Sequence, residues 1–115
     1  MSSVMITSSI SDIKVPGISC KQLLVTVELE GGYRYEVYSL DRWPSHIHVQ
    51  WTRKGWKSPL QKMSKTFFDW ESVAANYRKL APHIAEVRAE MEALMLRAAV
   101  VGWVESRRTA DNLSR

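Results

Sequence analysis

Apolar and polar positions alternate through two runs in the first half of the chain. The runs extend from Leu23 to Leu29 and from Tyr33 to Tyr38, and Gly31-Gly32 lies between them. Alternation of this kind is typical of strands that bury one face, and the glycines indicate a turn. The sequence therefore predicts an antiparallel β-hairpin at this position.

The register of the hairpin can also be predicted. A three-residue loop, Glu30 to Gly32, places Val27 opposite Tyr35. Six apolar residues then share one face, namely Val25, Val27, Leu29, Tyr33, Tyr35 and Val37. The same register places Glu28 opposite Arg34 on the other face, where opposite charges attract. Glycine supplies the left-handed conformation that three-residue loops need.

Further strands are predicted on both sides of the hairpin. Residues 47–51 alternate and predict a third strand, separated from the hairpin by a break at Trp43-Pro44-Ser45. Residues 56–60 predict a short fourth strand, which Pro59 limits to an edge. The Ser-rich segment Met1 to Ser11 alternates weakly and is compatible with a frayed tail or with an edge strand.

The hydrophobic period changes from strand-like to helical at Thr66. Thr66-x-x-Asp69 has the spacing of a capping box, and apolar residues then recur at intervals of three and four up to Ala81. Pro82 predicts a break, because proline suits the first turn of a new helix. A second, longer helix is predicted from about Pro82 to about Arg107.

Together these elements predict one α+β domain over residues 1–115. It has a three- to four-stranded antiparallel sheet followed by two consecutive helices, with mobile tails at 1–11 and 109–115. A length of 115 residues suits one domain with one core.

The second predicted helix carries a heptad seam with two interpretations. The seam packs on the sheet of its own domain, or it pairs with the same helix of a second chain. Because a sheet of three or four short strands would leave much of this surface uncovered, the second interpretation is favoured and a homodimer is expected. The expected interface residues are Ile84, Val87, Met91, Leu94, Ala98 and Val101.

Composition and cysteine usage bound the setting of the protein. The chain is 45% hydrophobic and 24% charged, as is usual for a globular domain. Cys20 is the single cysteine, which excludes an internal disulfide and fits a reducing compartment. The sequence shows neither a signal-peptide pattern nor an apolar run long enough to span a bilayer. A cytoplasmic protein that does not bind a membrane is therefore expected.

Positive charge is concentrated in one quarter of the chain. The formal net charge is +4, yet the interval between Asp41 and Asp69 contains six Lys or Arg residues and no acid. The remainder holds ten basic and twelve acidic residues. Such a local positive field indicates a polyanionic partner or an acidic protein surface.

The same interval interleaves tryptophans with its cations. Cations bind phosphates and release counterions, while aromatic rings stack on unpaired bases or form the wall of a groove. The pattern therefore predicts a nucleic-acid-binding surface for single or double strands. The expected contacts are Arg42, Trp51, Arg53, Lys54, Trp56, Lys57, Lys62 and Lys65.

Three alternatives remain open beside this hypothesis. In the first, the tryptophans belong to the core and the lysines form a solvated face. In the second, the protein is a regulator or inhibitor whose basic patch binds an acidic protein surface. A small enzyme or ligand carrier with a pocket between sheet and helix is the third. No catalytic signature supports an enzyme, and no cofactor is expected. His46 and His48 share one side of a strand, but no third metal ligand lies nearby in the sequence.

The order of sheet, basic loop and a helix that opens with Asp69-Trp70 resembles the positive-cofactor type of single-stranded-DNA-binding coactivators. The similarity covers about Leu23 to Leu96 and implies a chain that pairs through its helix and binds with its sheet. It is a similarity of element order that assigns no residue, and the second helix after Pro82 departs from the pattern.

Overall fold

A computed structural model describes residues 4–15, 18–40, 43–55 and 64–113, with side chains for 4–13, 20–40, 46–55 and 64–100. Five strands precede the helices, so the α+β class is confirmed with one or two strands more than expected. The elements are β1 (Val4–Val15), β2 (Ile18–Leu29), β3 (Tyr33–Leu40), β4 (Trp43–Arg53), β5 (Lys65–Phe67), α1 (Trp70–Asn76), a 3₁₀ turn (Ala81–His83) and α2 (Ile84–Leu113).

The five strands form one antiparallel meander, in which each strand pairs with the next along the chain. The predicted hairpin register is confirmed: Val27 lies opposite Tyr35, and Glu28 lies opposite Arg34. The Arg34 guanidinium is 3.1 Å from the Glu28 carboxylate. The charge pair and the shared apolar face therefore specify the register together.

Two strand predictions need correction. Residues 43–45 do not interrupt the sheet, because β4 begins at Trp43 and the register between β3 and β4 shifts between Tyr38 and Leu40. The Ser39 hydroxyl, buried at this shift, donates a hydrogen bond of 2.8 Å to the His46 carbonyl. The strand predicted at 56–60 lies outside the described residues.

The start of the first helix was also predicted wrongly. Thr66 lies in β5, opposite His48, and does not cap a helix. The residue at the N-cap is Asp69, whose carboxylate accepts a hydrogen bond of 2.7 Å from the Ser72 backbone N–H. This bond satisfies a donor that the first helical turn leaves without a partner. The Ser72 side chain, together with this backbone bond, lowers the pKa of Asp69 by stabilising its charged carboxylate.

Helix α1 is shorter than the periodic pattern indicated. It ends at a C-cap at Tyr77, and the chain then turns through the 3₁₀ segment before α2 begins at Ile84. The break predicted near Pro82 is confirmed, because Pro82 lies in this 3₁₀ turn. Residues 109–113 continue α2, and residues 4–11 lie in β1.

The core lies between one face of the sheet and α2. Helix α2 contacts β1 and β2. Its side of the core holds the described middle of the heptad seam, which is almost fully buried within the chain. The exposed fractions are 0% for Val87 and Met91, 1% for Leu94 and 3% for Ala98.

Ile84 is partly buried against the same core, and the side chain of Val101 lies outside those described. Because β1 widens the sheet, most of the seam is covered by the chain itself. A homodimer therefore needs another surface than this part of the seam. Within the described residues, no helix is long and apolar enough to cross a membrane.

Candidate nucleic-acid interface

Two glycine-containing turns meet at one end of the sheet. The β2–β3 loop contains Gly32, and the chain leaving β4 contains Lys54 and Gly55. The Lys54 backbone N–H donates a hydrogen bond of 2.9 Å to the Gly32 carbonyl. This bond holds the end of β4 against the hairpin turn and fixes where the Lys54 side chain begins.

Glycine is required at the contact between the turns. Gly32 has a φ of +80°, in the left-handed region that side chains disfavour. A Cβ at Gly32 would also lie 2.7 Å from the Lys54 Cβ, closer than two carbons approach. The β2–β3 loop therefore has two roles: it sets the register of the hairpin, and its glycine leaves room for Lys54 to approach.

Two cations converge on the Tyr33 ring next to this contact. Arg53 lies directly opposite Tyr33 in the β3–β4 register, and its guanidinium carbon is 4.8 Å from the ring centroid. The Lys79 ammonium, which follows α1 in the chain, is 4.5 Å from the same centroid. Attraction to the ring quadrupole holds both charges near the turns. We call Gly31, Gly32, Arg53, Lys54, Gly55 and Lys79 the basic turn surface.

Trp51 lies beneath the basic turn surface, on the face of the sheet that carries the helices. Its ring is stacked with Tyr33 and Tyr35, at centroid distances of 6.2 and 6.0 Å. Tyr35 is itself buried and contacts Tyr77 edge to face. Burial raises the pKa of both Tyr35 and Tyr77 above the ordinary value for tyrosine. Trp51 is half-buried and connects the basic turn surface to the core.

The ion pairs of the described residues leave the basic turn surface unneutralised. Lys21, Arg34 and Arg88 each lie against a carboxylate, at 2.8, 3.1 and 3.0 Å. In the part of the chain that the structure describes, Arg53, Lys54 and Lys79 form no such pair. Their charges remain available to an anionic partner.

An open depression of about 340 Å³ lies on the basic turn surface. Its described lining consists of Gly31, Gly32, Arg53, Lys54 and Gly55, with no acidic residue among them. Three glycines expose backbone that a ligand approaches closely, and the two side chains supply positive charge. Such a lining suits an oxyanion, such as a phosphate or a carboxylate.

The other expected contacts lie apart from this surface or outside the described residues. Lys65 is exposed on β5 opposite Val49. Four strand residues and one strand spacing separate that position from Arg53, which corresponds to roughly 14 Å. The contacts expected at Arg42, Trp56, Lys57 and Lys62 fall outside the described residues.

Sequence reasoning missed Tyr33 and Lys79 as members of the site. A signal existed for Tyr33, because the hairpin register combined with a third antiparallel strand pairs Tyr33 with Arg53. Lys79 follows α1, outside the acid-free interval, and its approach to Tyr33 depends on how α1 packs. No local pattern marks that approach.

A row of rings occupies the sheet face away from α2. The Tyr38 and His48 rings are stacked with centroids 4.9 Å apart, and the exposed Phe68 meets His46 edge to face at 5.2 Å. His48 Nδ1 lies 3.1 Å from Thr66 Oγ1, within hydrogen-bond distance. Burial, with the nearby His46, lowers the pKa of His48, so its ring is neutral at pH 7.

The two histidines do not form part of a metal-binding group in the described residues. Among these residues, no three His, Cys, Asp or Glu side chains lie close enough together to hold an ion. A zinc site needs three or four protein ligands. The ring row is therefore described as an aromatic surface.

Comparison of the chain with family models, with curated proteins and with solved structures finds no match in any of the three.

Proposed function

We propose that this protein is a non-catalytic nucleic-acid-binding accessory protein whose basic turn surface contacts the phosphate backbone. The observation that supports the proposal is the set of unneutralised cations on this surface. The charged groups of Arg53 and Lys79 lie 4.8 and 4.5 Å from the centroid of the Tyr33 ring. The Lys54 backbone N–H is held by its hydrogen bond to the Gly32 carbonyl. The charges of Arg53 and Lys79 are thus placed before a ligand arrives, which lowers the entropy lost on binding.

Each side chain has a role in the proposal. Arg53 and Lys54 contact phosphate oxygens, and Lys79 adds charge from the α1 side. Trp51 supports the basic turn surface from beneath, because its ring is stacked with Tyr33. Phosphate contacts carry most of the affinity of sequence-independent binding and make it sensitive to salt.

The β4–β5 connection lies within the acid-free interval between Asp41 and Asp69 of the sequence. In sequence it contributes Lys57, Lys62 and Trp56 between Arg53 and Lys65. The proposal assigns phosphate contacts to the two lysines and base stacking to Trp56, which favours single strands. Arg42 completes the acid-free interval as a further phosphate contact.

The proposal is tested by titrating the protein with labelled single- and double-stranded oligonucleotides at about 50 and 200 mM salt. Fluorescence anisotropy should show binding that weakens at the higher salt concentration. The matched control is Arg88→Gln, which removes a cation already paired with Glu92 at 3.0 Å. Its affinity should equal that of the wild type. Absence of binding to DNA and RNA at low salt would contradict the proposal.

An acidic protein is the alternative partner, and the same unneutralised cations support it. Carboxylates are planar anions that Arg53 accommodates as readily as phosphate. In that case the protein acts as a regulator or inhibitor, and Tyr33 and Trp51 contribute at the centre of the contact. If the partner is an acidic protein, an oligonucleotide should compete only weakly with it for the basic turn surface. If the partner is a nucleic acid, the oligonucleotide should saturate that surface.

The proposal includes a homodimer and a cytoplasmic location. A second copy doubles the number of phosphate contacts that one nucleic acid strand meets, which raises affinity without a new contact type. Free Cys20 is buried and is compatible with a reducing compartment.

A further inference from the structure

The outward side of α2 carries an apolar stripe that the described chain leaves exposed. At 100° per residue, this stripe lies opposite the buried seam of Val87, Met91, Leu94 and Ala98. Its two large members, Leu96 and Val100, are 68% and 54% exposed. We call it the outer stripe; its residues are Ala85, Ala89, Ala93, Leu96 and Val100.

The two halves of the outer stripe differ in shape. The N-terminal half is alanine, and it borders a groove of about 440 Å³ between α1 and α2. The apolar part of the groove lining includes Trp70, Ala74, Ala85 and Ala89. The C-terminal half instead projects Leu96 and Val100. The N-terminal half of the outer stripe therefore presents small side chains beside a groove, and the C-terminal half presents large side chains that project.

Charges on one flank of the outer stripe show the same asymmetry. Glu86 and Glu90 lie beside the alanine half, and Arg97 lies beside the half with Leu96. None of the three forms an ion pair with another described residue. On the opposite flank, Arg88 and Glu92 pair with each other at 3.0 Å.

We propose that the outer stripe binds the outer stripe of a second copy of this chain, with the two α2 helices antiparallel. The inference rests on the proposed homodimer and assigns its surface. In the register that fits best, Leu96 packs on Ala89 of the second copy and Val100 packs on Ala85 of the second copy. The two-fold axis then passes between Glu92 and Ala93.

The charge pattern independently selects the same register. With Leu96 level with Ala89 of the second copy, Arg97 lies midway between Glu86 and Glu90 of the second copy. Symmetry repeats the arrangement, so that each arginine meets two glutamates. These rim pairs set orientation more than affinity.

A parallel arrangement lacks the complementarity of size. It would place alanine on alanine and leucine on leucine, and it would bring Glu86 and Glu90 against the flank on which Arg88 already pairs with Glu92. The antiparallel arrangement places a large side chain on a small one at each contact, and alanines permit helix axes to approach to about 8 Å. The stripe from Ala85 to Val100 spans about 22 Å, so the association is expected to depend on protein concentration.

Sedimentation equilibrium of paired charge variants tests the proposal. Arg97→Glu makes this flank wholly acidic, and the double change Glu86→Arg with Glu90→Arg makes it wholly basic. Each variant alone should dissociate at least tenfold more readily than the wild type at low salt, because like charges then face each other. An equimolar mixture should recover wild-type association, because every facing pair is again opposite in sign.

Cysteine cross-linking tests the orientation. The antiparallel register brings the two copies of position 93 together and separates the two copies of position 100 by about 22 Å along the helices. Ala93→Cys should therefore form an intermolecular disulfide on mild oxidation, and its matched control Val100→Cys should not. Both positions are exposed, and native Cys20 is buried in either variant.

The outcomes separate the dimer from its surface. A folded wild-type monomer at high protein concentration overturns both the dimer and the assigned surface. A wild-type dimer that the charge variants leave unchanged, or equal cross-linking by the two cysteine variants, overturns the outer stripe alone.

Discussion

Leu94 and Leu96 are two residues apart on α2, yet Leu94 is 1% exposed and Leu96 is 68% exposed. A helix places residues two positions apart about 200° from each other, so one leucine faces the sheet and the other faces away. This relationship gives the two sides of α2 different tasks. The inner side completes the core, and our proposal assigns the outer side to a second copy of the chain.

The two leucines form a matched pair of truncation sites. Leu94→Ala should lower the free energy of unfolding by about 2–5 kcal/mol, because it leaves a cavity in the core. Leu96→Ala should change the free energy of unfolding of the monomer by less than about 0.5 kcal/mol. Urea denaturation at low protein concentration measures both changes. Equal losses for the two variants would show that the assignment of faces is wrong.

The Gly32 turn should tolerate no side chain. Gly32→Ala imposes a left-handed conformation on alanine, at a cost of about 1–2 kcal/mol. It also forces Lys54 to move, because the added Cβ would lie 2.7 Å from the Lys54 Cβ. The matched control is Gly55→Ala, where φ is +97° but no atom lies within 4 Å of the added Cβ. Thermal denaturation should show a larger loss for Gly32→Ala. If the two variants lose equal stability, the contact between the turns is not the constraint described.

Trp51→Ala should act mainly on stability. The ring is stacked with Tyr33 and Tyr35 and is half-buried, so its loss should cost about 2 kcal/mol, less than for a fully buried tryptophan. Trp51→Phe keeps an aromatic ring and serves as the control. Urea denaturation of both variants gives the size of the effect. A stable Trp51→Ala variant that loses nucleic-acid binding would instead show that Trp51 contacts the ligand directly.

Protonation of His48 should lower stability in mildly acidic solution. The pKa of His48 in the folded protein lies below its usual 6.5, chiefly through burial. As pH falls from about 7 to 5, the unfolded chain gains this proton before the folded chain does, so the folded state loses stability. Above that range both states are neutral and the effect vanishes.

The variant His48→Gln isolates the pH effect. It removes the titrating group, while His46 remains in both proteins. The melting temperature of the wild type should fall more between pH 7 and pH 5 than that of the variant. Parallel falls in the two proteins would assign the acid sensitivity to other groups.

The hairpin and the break before α2 could be predicted because their signals are local. Alternation, a charge pair and two glycines all selected one register for β2 and β3. The edge strand β1 gives a weaker signal, since Ser8, Ser9 and Ser11 carry little hydrophobic information. Its twelve cross-strand pairs with β2 fix it as a strand, although its local sequence predicts a strand only weakly.

The remaining differences arise from tertiary contacts. Thr66 has the spacing of a helix cap, but pairing with His48 across β4 and β5 places it in a strand. The heptad seam has the spacing of an interchain interface, but β1 widens the sheet enough for α2 to be covered. Lys79 reaches Tyr33 through the packing of α1, which no local pattern encodes.

The salt dependence of oligonucleotide binding tests the proposed phosphate contacts most directly. For the wild type, the logarithm of the binding constant should fall linearly with the logarithm of salt concentration. Replacing Arg53 and Lys54 together by glutamine should weaken binding to all sequences alike. It should also reduce the magnitude of the slope by about 1.4 on single strands or 1.8 on duplexes, since each phosphate contact contributes about 0.7 or 0.9. An unchanged slope in a folded double variant would contradict the assignment of these two side chains to phosphate.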